Sequence, residues 1–227
     1  MIYYLDNEKV QINLDKLKLL GSGAEGIVYK YKDQAFKICK NSGIKKKECI
    51  VLKELNTKRI LLPRKIIYNQ NNRFKGYTTD YCKRKGNIEF TKKEKFIYEL
   101  NKLIEEINYL SENKVYLCDW NYGNFIYDGK FRLVDPGQYL IGRRSSDEKK
   151  IYEGNYKTLC HFIAMRLFYN LVISNTEKIN DLSFEKEITD LLFDLLIKSR
   201  EDIIKFYSDE IKENETICEY AKRITKK

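Results

Sequence analysis

Apolar residues change their spacing near residue 90, and this change constrains the fold more than any other feature of the chain. Before it, short runs such as Ile27-Val28-Tyr29, Ala35-Phe36-Lys37-Ile38 and Gly76-Tyr77-Thr78-Thr79 are broken by turn signals at Lys32-Asp33 and Gln70-Asn71-Asn72. That is the pattern of short strands joined by tight turns. One helix interrupts them, around 45 to 56. Beyond Thr91 the residues Phe96, Leu100, Leu103, Ile104, Ile107 and Leu110 recur every three or four positions and describe one face of a long helix. Leu159, Phe162, Ile163, Leu167 and Leu171 follow the same rule, as do Ile188, Leu191, Leu192, Leu195 and Leu196, continuing through Ile203, Ile204, Phe206 and Ile211. The expected fold class is α+β, with a strand-rich part over 1–82 and a mainly helical part over 83–227. A chain of 227 residues with 43% apolar content can bury one sizeable core or two smaller lobes that share a cleft.

Composition narrows the function classes. The formal charge of +10 raises the question of a polyanion partner. Lysines are spread along the chain, however, with short clusters only at Lys45-Lys46-Lys47 and Lys83-Arg84-Lys85, and no nucleic-acid motif accompanies them. A solvated basic surface is expected, with no nucleic-acid partner. Six cysteines occur without a C-x-x-C pair, which argues against a zinc knuckle or a redox motif. No basic-then-apolar leader and no unbroken apolar run of about 18 residues is present, so a cytoplasmic protein without membrane insertion is expected. The single histidine, His161, lies on an apolar helix and reads as a packing residue.

Three motifs carry chemistry. The first is Gly21-Ser22-Gly23-Ala24-Glu25-Gly26-Ile27-Val28, a G-x-G-x-x-G-x-V run. Glycines let a strand-turn-strand approach phosphate oxygens so that main-chain N–H groups can cover them. A dinucleotide-binding glycine loop would open a helix, whereas here Ile27-Val28-Tyr29-Lys30-Tyr31 continues as a strand.

The second is Ala35-Phe36-Lys37, spaced so that the next strand returns a lysine beneath the loop. An ammonium there neutralises phosphates and needs a carboxylate to hold it. Glu48, on the helix Lys47-Glu48-Cys49-Ile50-Val51-Leu52, is the expected partner, because Val51, Leu52 and Leu55 then form the packing face. Glu54 is the fallback.

The third is Leu117-Cys118-Asp119-Trp120-Asn121-Tyr122-Gly123-Asn124, followed by Phe131-Arg132-Leu133-Val134-Asp135-Pro136-Gly137. Asp119 and Asn124 keep a D-x-x-x-x-N spacing, and a turn at Asp128-Gly129 brings the chain back to Asp135. Such an arrangement sets one carboxylate beside an incoming hydroxyl, and an amide and a second carboxylate on a metal ion.

The order glycine loop, Ala-x-Lys, helix Glu, D-x-x-x-x-N and D-x-G resembles the eukaryotic-like protein kinase superfamily over residues 14 to 137. The chain looks like a minimal, bacterial-type serine/threonine kinase with an abbreviated helical lobe. The resemblance implies a bilobal kinase-like fold and ATP with Mg²⁺, or Mn²⁺, as cofactors. It implies catalytic roles for Lys37, Glu48 and Asp119, with Asn124 and Asp135 on the metal. The segment from Gly76 to Cys82 is similar to the family's hinge strand, which would put Thr79 at the gatekeeper position and Asp80, Tyr81 and Cys82 against adenine.

Departures from the family bear on the acceptor. Leu117-Cys118 replaces the usual His-Arg, so no arginine waits there for a phosphorylated activation loop. Asn121 replaces the lysine that contacts the transferring phosphate, Pro136 replaces Phe, and no Ala-Pro-Glu follows Gln138. A protein serine/threonine kinase is the first expectation. A small-molecule phosphotransferase similar to the aminoglycoside and choline kinases comes second, and an ATP-binding pseudokinase third.

Overall fold

The computed structural model describes residues 2–6, 8–40, 43–118, 121–142, 147–174, 190, 194 and 200–224. The first part of the chain is one seven-stranded antiparallel sheet. Its strands are β1 (Ile2–Leu5), β2 (Glu8–Gln11), β3 (Lys18–Ser22), β4 (Gly26–Tyr31), β5 (Gln34–Cys39), β6 (Lys65–Asn69) and β7 (Phe74–Asp80). They lie in the order β2-β1-β6-β7-β5-β4-β3. Tight turns join β4 to β5 and β6 to β7, and Lys32 and Asn72 adopt the left-handed conformation there. Both turns fall on the signals read in the sequence.

Helix α1 (Lys46–Lys53) follows β5 and is shorter than the 45 to 56 expected. It lays Cys49 and Leu52 against Ile60, Leu62, Ile66 and Tyr77. The other face of the sheet has its own core of Tyr3, Leu5, Ile12, Phe36 and Ile67. Apolar residues therefore pack on both faces of the sheet around its inner strands, as alternate side chains of a strand point to opposite faces.

Helix α2 (Lys93–Glu112) begins the helical part. Phe96, Leu100, Leu103, Ile104, Ile107 and Leu110, the stripe predicted from spacing, are all buried. They pack on the hairpin of β9 (Phe125–Tyr127) and β10 (Phe131–Leu133), on α3 (Glu148–Ser174) and on α4 (Arg200–Glu210). Phe96 meets Phe131 and Tyr207 edge-on, with centroids 5.4 and 5.0 Å apart. Two short strands, β8 (Val115–Tyr116) and β11 (Leu140–Ile141), pair antiparallel, and α5 (Ile217–Ile224) closes the described chain. Of the third predicted apolar stretch, the part from Ile203 to Ile211 lies in and just after α4. Ile188, Leu191, Leu192, Leu195 and Leu196 lie outside the described residues.

Charged groups tie the two parts together. Glu106 of α2 accepts the N–H groups of Lys58, Arg59 and Ile60, and buried Glu99 pairs with Arg59 at 3.1 Å. No described helix is long and apolar enough to cross a membrane.

Candidate active site

A cavity of about 710 Å³ lies between the sheet and the β9–β10 hairpin. Its lining contains Gly21, Ser22, Gly23, Ala24, Glu25, Gly26, Val28, Ala35, Lys37, Thr79, Asp80, Tyr81, Cys82, Asn124 and Asp135. Residues spread over more than a hundred positions therefore meet in one cleft. Two of the sequence-derived candidates are not among the described lining residues. Asp119, with Trp120, lies outside the described residues, as do Arg143, Arg144, Ser145 and Ser146. Glu48 is described and lies elsewhere.

The roof is the β3–β4 hairpin. Its tip is held by Gly23 N–H donating to the Gly26 carbonyl at 2.9 Å, by Lys40 N–H to the Glu25 carbonyl at 2.7 Å, and by Lys40 Nζ to the Gly23 carbonyl at 2.8 Å. Gly26 has a packing reason to be glycine. It faces Cys39 in the β4–β5 ladder, and a Cβ there would collide with the Ile38 carbonyl oxygen. At Gly21 and Gly23 a Cβ would meet nothing within 4 Å, so no packing within the protein requires glycine at these two.

The ladder between β5 and β7 sets the back wall. Lys37 is opposite Tyr77 and Ala35 is opposite Thr79. With a side-chain period of two, all four face the cleft. Val28 and Ala35 above and Ile126 below give the outer end of the cavity apolar surfaces on both sides. At the edge, Asp80 is bound by Arg64, with Nη2 at 2.8 Å, and Tyr81 N–H donates to the Asp33 carbonyl at 2.9 Å. Burial pushes the Cys82 thiol up to about 12, helped by its hydrogen bond to Asp128.

The floor centres on Asp135. The β9–β10 hairpin, whose turn falls at the predicted Asp128-Gly129, returns the chain to this residue. Asp135 stands at φ 59°, ψ 74°, immediately before a 3₁₀ turn over Pro136–Gln138. A left-handed aspartate is a sparsely populated state that its surroundings must hold. Here Lys37 Nζ is ion-paired to Asp135 Oδ1, and the buried Tyr77 hydroxyl donates to the same oxygen at 3.0 Å. Asn124 sits beside it, and its carbonyl accepts Val134 N–H at 2.9 Å. Lys37 is only 4% exposed. Burial works against its ammonium, but Asp135 and Glu25 outweigh it and hold the pKa above the ordinary lysine value.

The expected Lys37–Glu48 pair is corrected by this geometry. Lys37 is bound by Asp135 and by Glu25, the latter at 3.2 Å. Glu48 instead accepts the Lys45 N–H at 3.1 Å and lies 3.5 Å from Lys47 Nζ. The physical reason is local. Because α1 starts at Lys46, Glu48 falls in its first turn, where N–H groups lack helical partners and attract a carboxylate. The fallback, Glu54, is exposed at the end of α1.

Residues the motifs did not single out complete the site. Tyr77 and Gln138 line the cavity beside Asp135. Farther back, Asn155 of α3 accepts Leu117 N–H at 2.7 Å and donates to the Val115 carbonyl and Ser111 Oγ, both at 2.9 Å. Thr158 donates to the Leu117 carbonyl at 3.0 Å. Leu117, two positions before Asp119, is thereby held on both its N–H and C=O. The signal for Asn155 was a polar residue in the apolar stripe of Ile151, Leu159 and Phe162.

No family model matches this chain, and no curated protein sequence matches it.

Proposed function

We propose that this chain is an ATP-dependent phosphotransferase with a kinase-like bilobal arrangement. It would transfer the γ-phosphate of Mg·ATP to a hydroxyl, with protein serine and threonine side chains as the acceptor class. The observation that carries this reading is the meeting of Lys37 and Asp135, 98 positions apart, beneath the glycine hairpin. An ammonium beside a carboxylate, under an open glycine roof, is the donor set a metal–triphosphate requires.

The residues fit the nucleotide and its metal. A cavity of about 710 Å³ is in the range of sites for ligands of nucleotide size. Glycine at 21 and 23 carries no Cβ, which would let phosphate oxygens come close to the main chain. Among the described residues no group of three His, Cys, Asp or Glu could cage a metal alone. Mg²⁺ takes one or two protein oxygens and fills its shell with phosphate and water. Asp135 and Asn124 would be those protein ligands, and the metal would neutralise charge on the phosphate oxygens. Lys37 would hold the phosphates. Val28, Ala35 and Ile126 would sandwich the base, with Thr79 to Cys82 along its edge. Asp119, by the resemblance, would orient the acceptor hydroxyl.

Calorimetric titration with ATP, with and without Mg²⁺ or Mn²⁺, tests this directly. The parent is expected to bind Mg·ATP between about 1 μM and 1 mM, as kinases bind their substrates. Lys37→Met and Asp135→Asn should each weaken binding by about tenfold or more. A parent that binds no ATP, or variants that bind as it does, would remove the reading.

A further inference from the structure

We propose that Glu25, at the tip of the β3–β4 hairpin, is the positioning residue for Lys37, the task the sequence assigns to Glu48. The inference rests on the nucleotide-cleft reading above and names the residue that sets its lysine.

Lys37 Nζ has three N–H bonds. One is directed to Asp135 and one to Glu25, which leaves one for a phosphate oxygen. If Asp135 turns its oxygens to a divalent cation, Lys37 keeps an anionic partner only through Glu25, because Glu48 is engaged at the start of α1. Glu25 is held as a positioning group must be. Its Oε2 is on Lys37, its Oε1 accepts the Gln138 side-chain amide, and its own carbonyl is fixed by Lys40 N–H. The floor beneath it is Gly137, where any Cβ would collide with Glu25 Oε2. One carboxylate therefore bridges the roof, the lysine strand and the turn after Asp135.

The source of the carboxylate has a mechanical consequence. A partner on α1 would make the lysine depend on where that helix sits. A partner on the hairpin makes closure of the roof and placement of the lysine one movement. Charge is consistent with this: Glu25 and Asp135 carry two negative charges against one on Lys37. Release of Asp135 to a metal thus leaves a neutral Lys37–Glu25 pair.

The test uses the full chain and the variants Glu25→Gln, Glu25→Asp and Glu48→Gln, with melting curves to verify folding. In ligand-free protein, acylation of Lys37 by an N-hydroxysuccinimide ester is followed by peptide mass spectrometry. Glu25→Gln replaces the charged partner of one of the two side-chain bonds that hold Lys37 Nζ, so the amine is freer to react and should label faster, by about threefold or more. Glu48→Gln should label like the parent. In γ-phosphate transfer, Glu25→Gln should lower kcat/KM for Mg·ATP by about 10- to 100-fold, as misplaced reacting groups do. Glu25→Asp should recover part of that, and Glu48→Gln should stay within about threefold of the parent.

Equal or larger effects of Glu48→Gln in both readouts would overturn the assignment. So would faster transfer or tighter ATP binding in Glu25→Gln, which would make Glu25 a competitor of the phosphates. A parent that transfers nothing, with Lys37 labelling raised in Glu25→Gln alone, would remove the phosphotransferase reading but keep the Lys37–Glu25 assignment.

Discussion

Asp135 concentrates the chemistry of the cleft in one side chain, and its neighbours explain why the motif around it is more than spacing. Its left-handed backbone aims the carboxylate at Lys37, and Tyr77 reaches it from the buried wall. A hydrogen bond to a charged group contributes about 1.5–3 kcal/mol, part of which would appear in ligand binding. Tyr77→Phe is therefore expected to weaken Mg·ATP binding by about 3- to 10-fold with the fold intact, as calorimetry beside a melting curve would measure. A second expectation concerns pH. Burial pushes the Cys39 thiol up to about 11 and the Cys82 thiol up to about 12, from an ordinary value of 9.0. The folded chain keeps these protons longer than the unfolded one, so their contribution to stability is complete below pH 9.0 and lost as pH rises through about 11 to 12. The melting temperature should fall over that window, and alkylation of both thiols at neutral pH should be slow. Fast neutral alkylation of Cys39 would contradict this.

At this scale the sequence was informative about which residues line the cleft and silent about which of them touch. Spacing brought Lys37 to the right strand but did not reveal that Glu48 would be claimed by the first turn of its own helix. Tyr77 and Gln138 carry no spacing signal of their own. They become visible only when β7 and the turn after Asp135 are set side by side.

Among the elements, α2 was the most legible, since its buried stripe is the one the spacing describes. The β1–β2 hairpin was not foreseen, because four-residue strands at a chain end offer too short a run to show alternation. Helix α1 was predicted too long. Val51 is exposed, and beyond Lys53 the chain leaves the helix, so half-buried Leu55 and buried Ile60 lie in a connecting segment. Helix α3 has the most consequential role, because its buried Asn155 and Thr158 hold the main chain leading to Asp119. Asn155→Ala would orphan Leu117 N–H and the Val115 carbonyl, and each buried unsatisfied group costs about 1–3 kcal/mol. A loss of about 2–4 kcal/mol in denaturant unfolding is expected. A loss under about 0.5 kcal/mol would mean that water replaces the amide there.

For the whole molecule, the sheet with α1 and the helices with the β9–β10 hairpin share a continuous core and enclose one cleft from two sides. The change in apolar spacing near residue 90 falls where the chain passes from β7 to α2. The contents of the cleft were readable from three motifs that only long-range folding brings together. The central claim is that this cleft transfers phosphate, and incubation with γ-labelled ATP and Mg²⁺ tests it most directly. The parent chain, Asp119→Asn and Asp135→Asn would be scored separately on the protein itself, on generic protein acceptors and on a panel of hydroxylated metabolites. The account predicts label on protein hydroxyls with the parent. It predicts a loss of about two to four orders of magnitude with Asp119→Asn, the worth of general-base catalysis, while Mg·ATP binding persists. Asp135→Asn should lose both transfer and metal-dependent binding. Label only in metabolites would move the acceptor to small molecules. A parent that binds Mg·ATP yet labels nothing, or variants as active as the parent, would contradict the account.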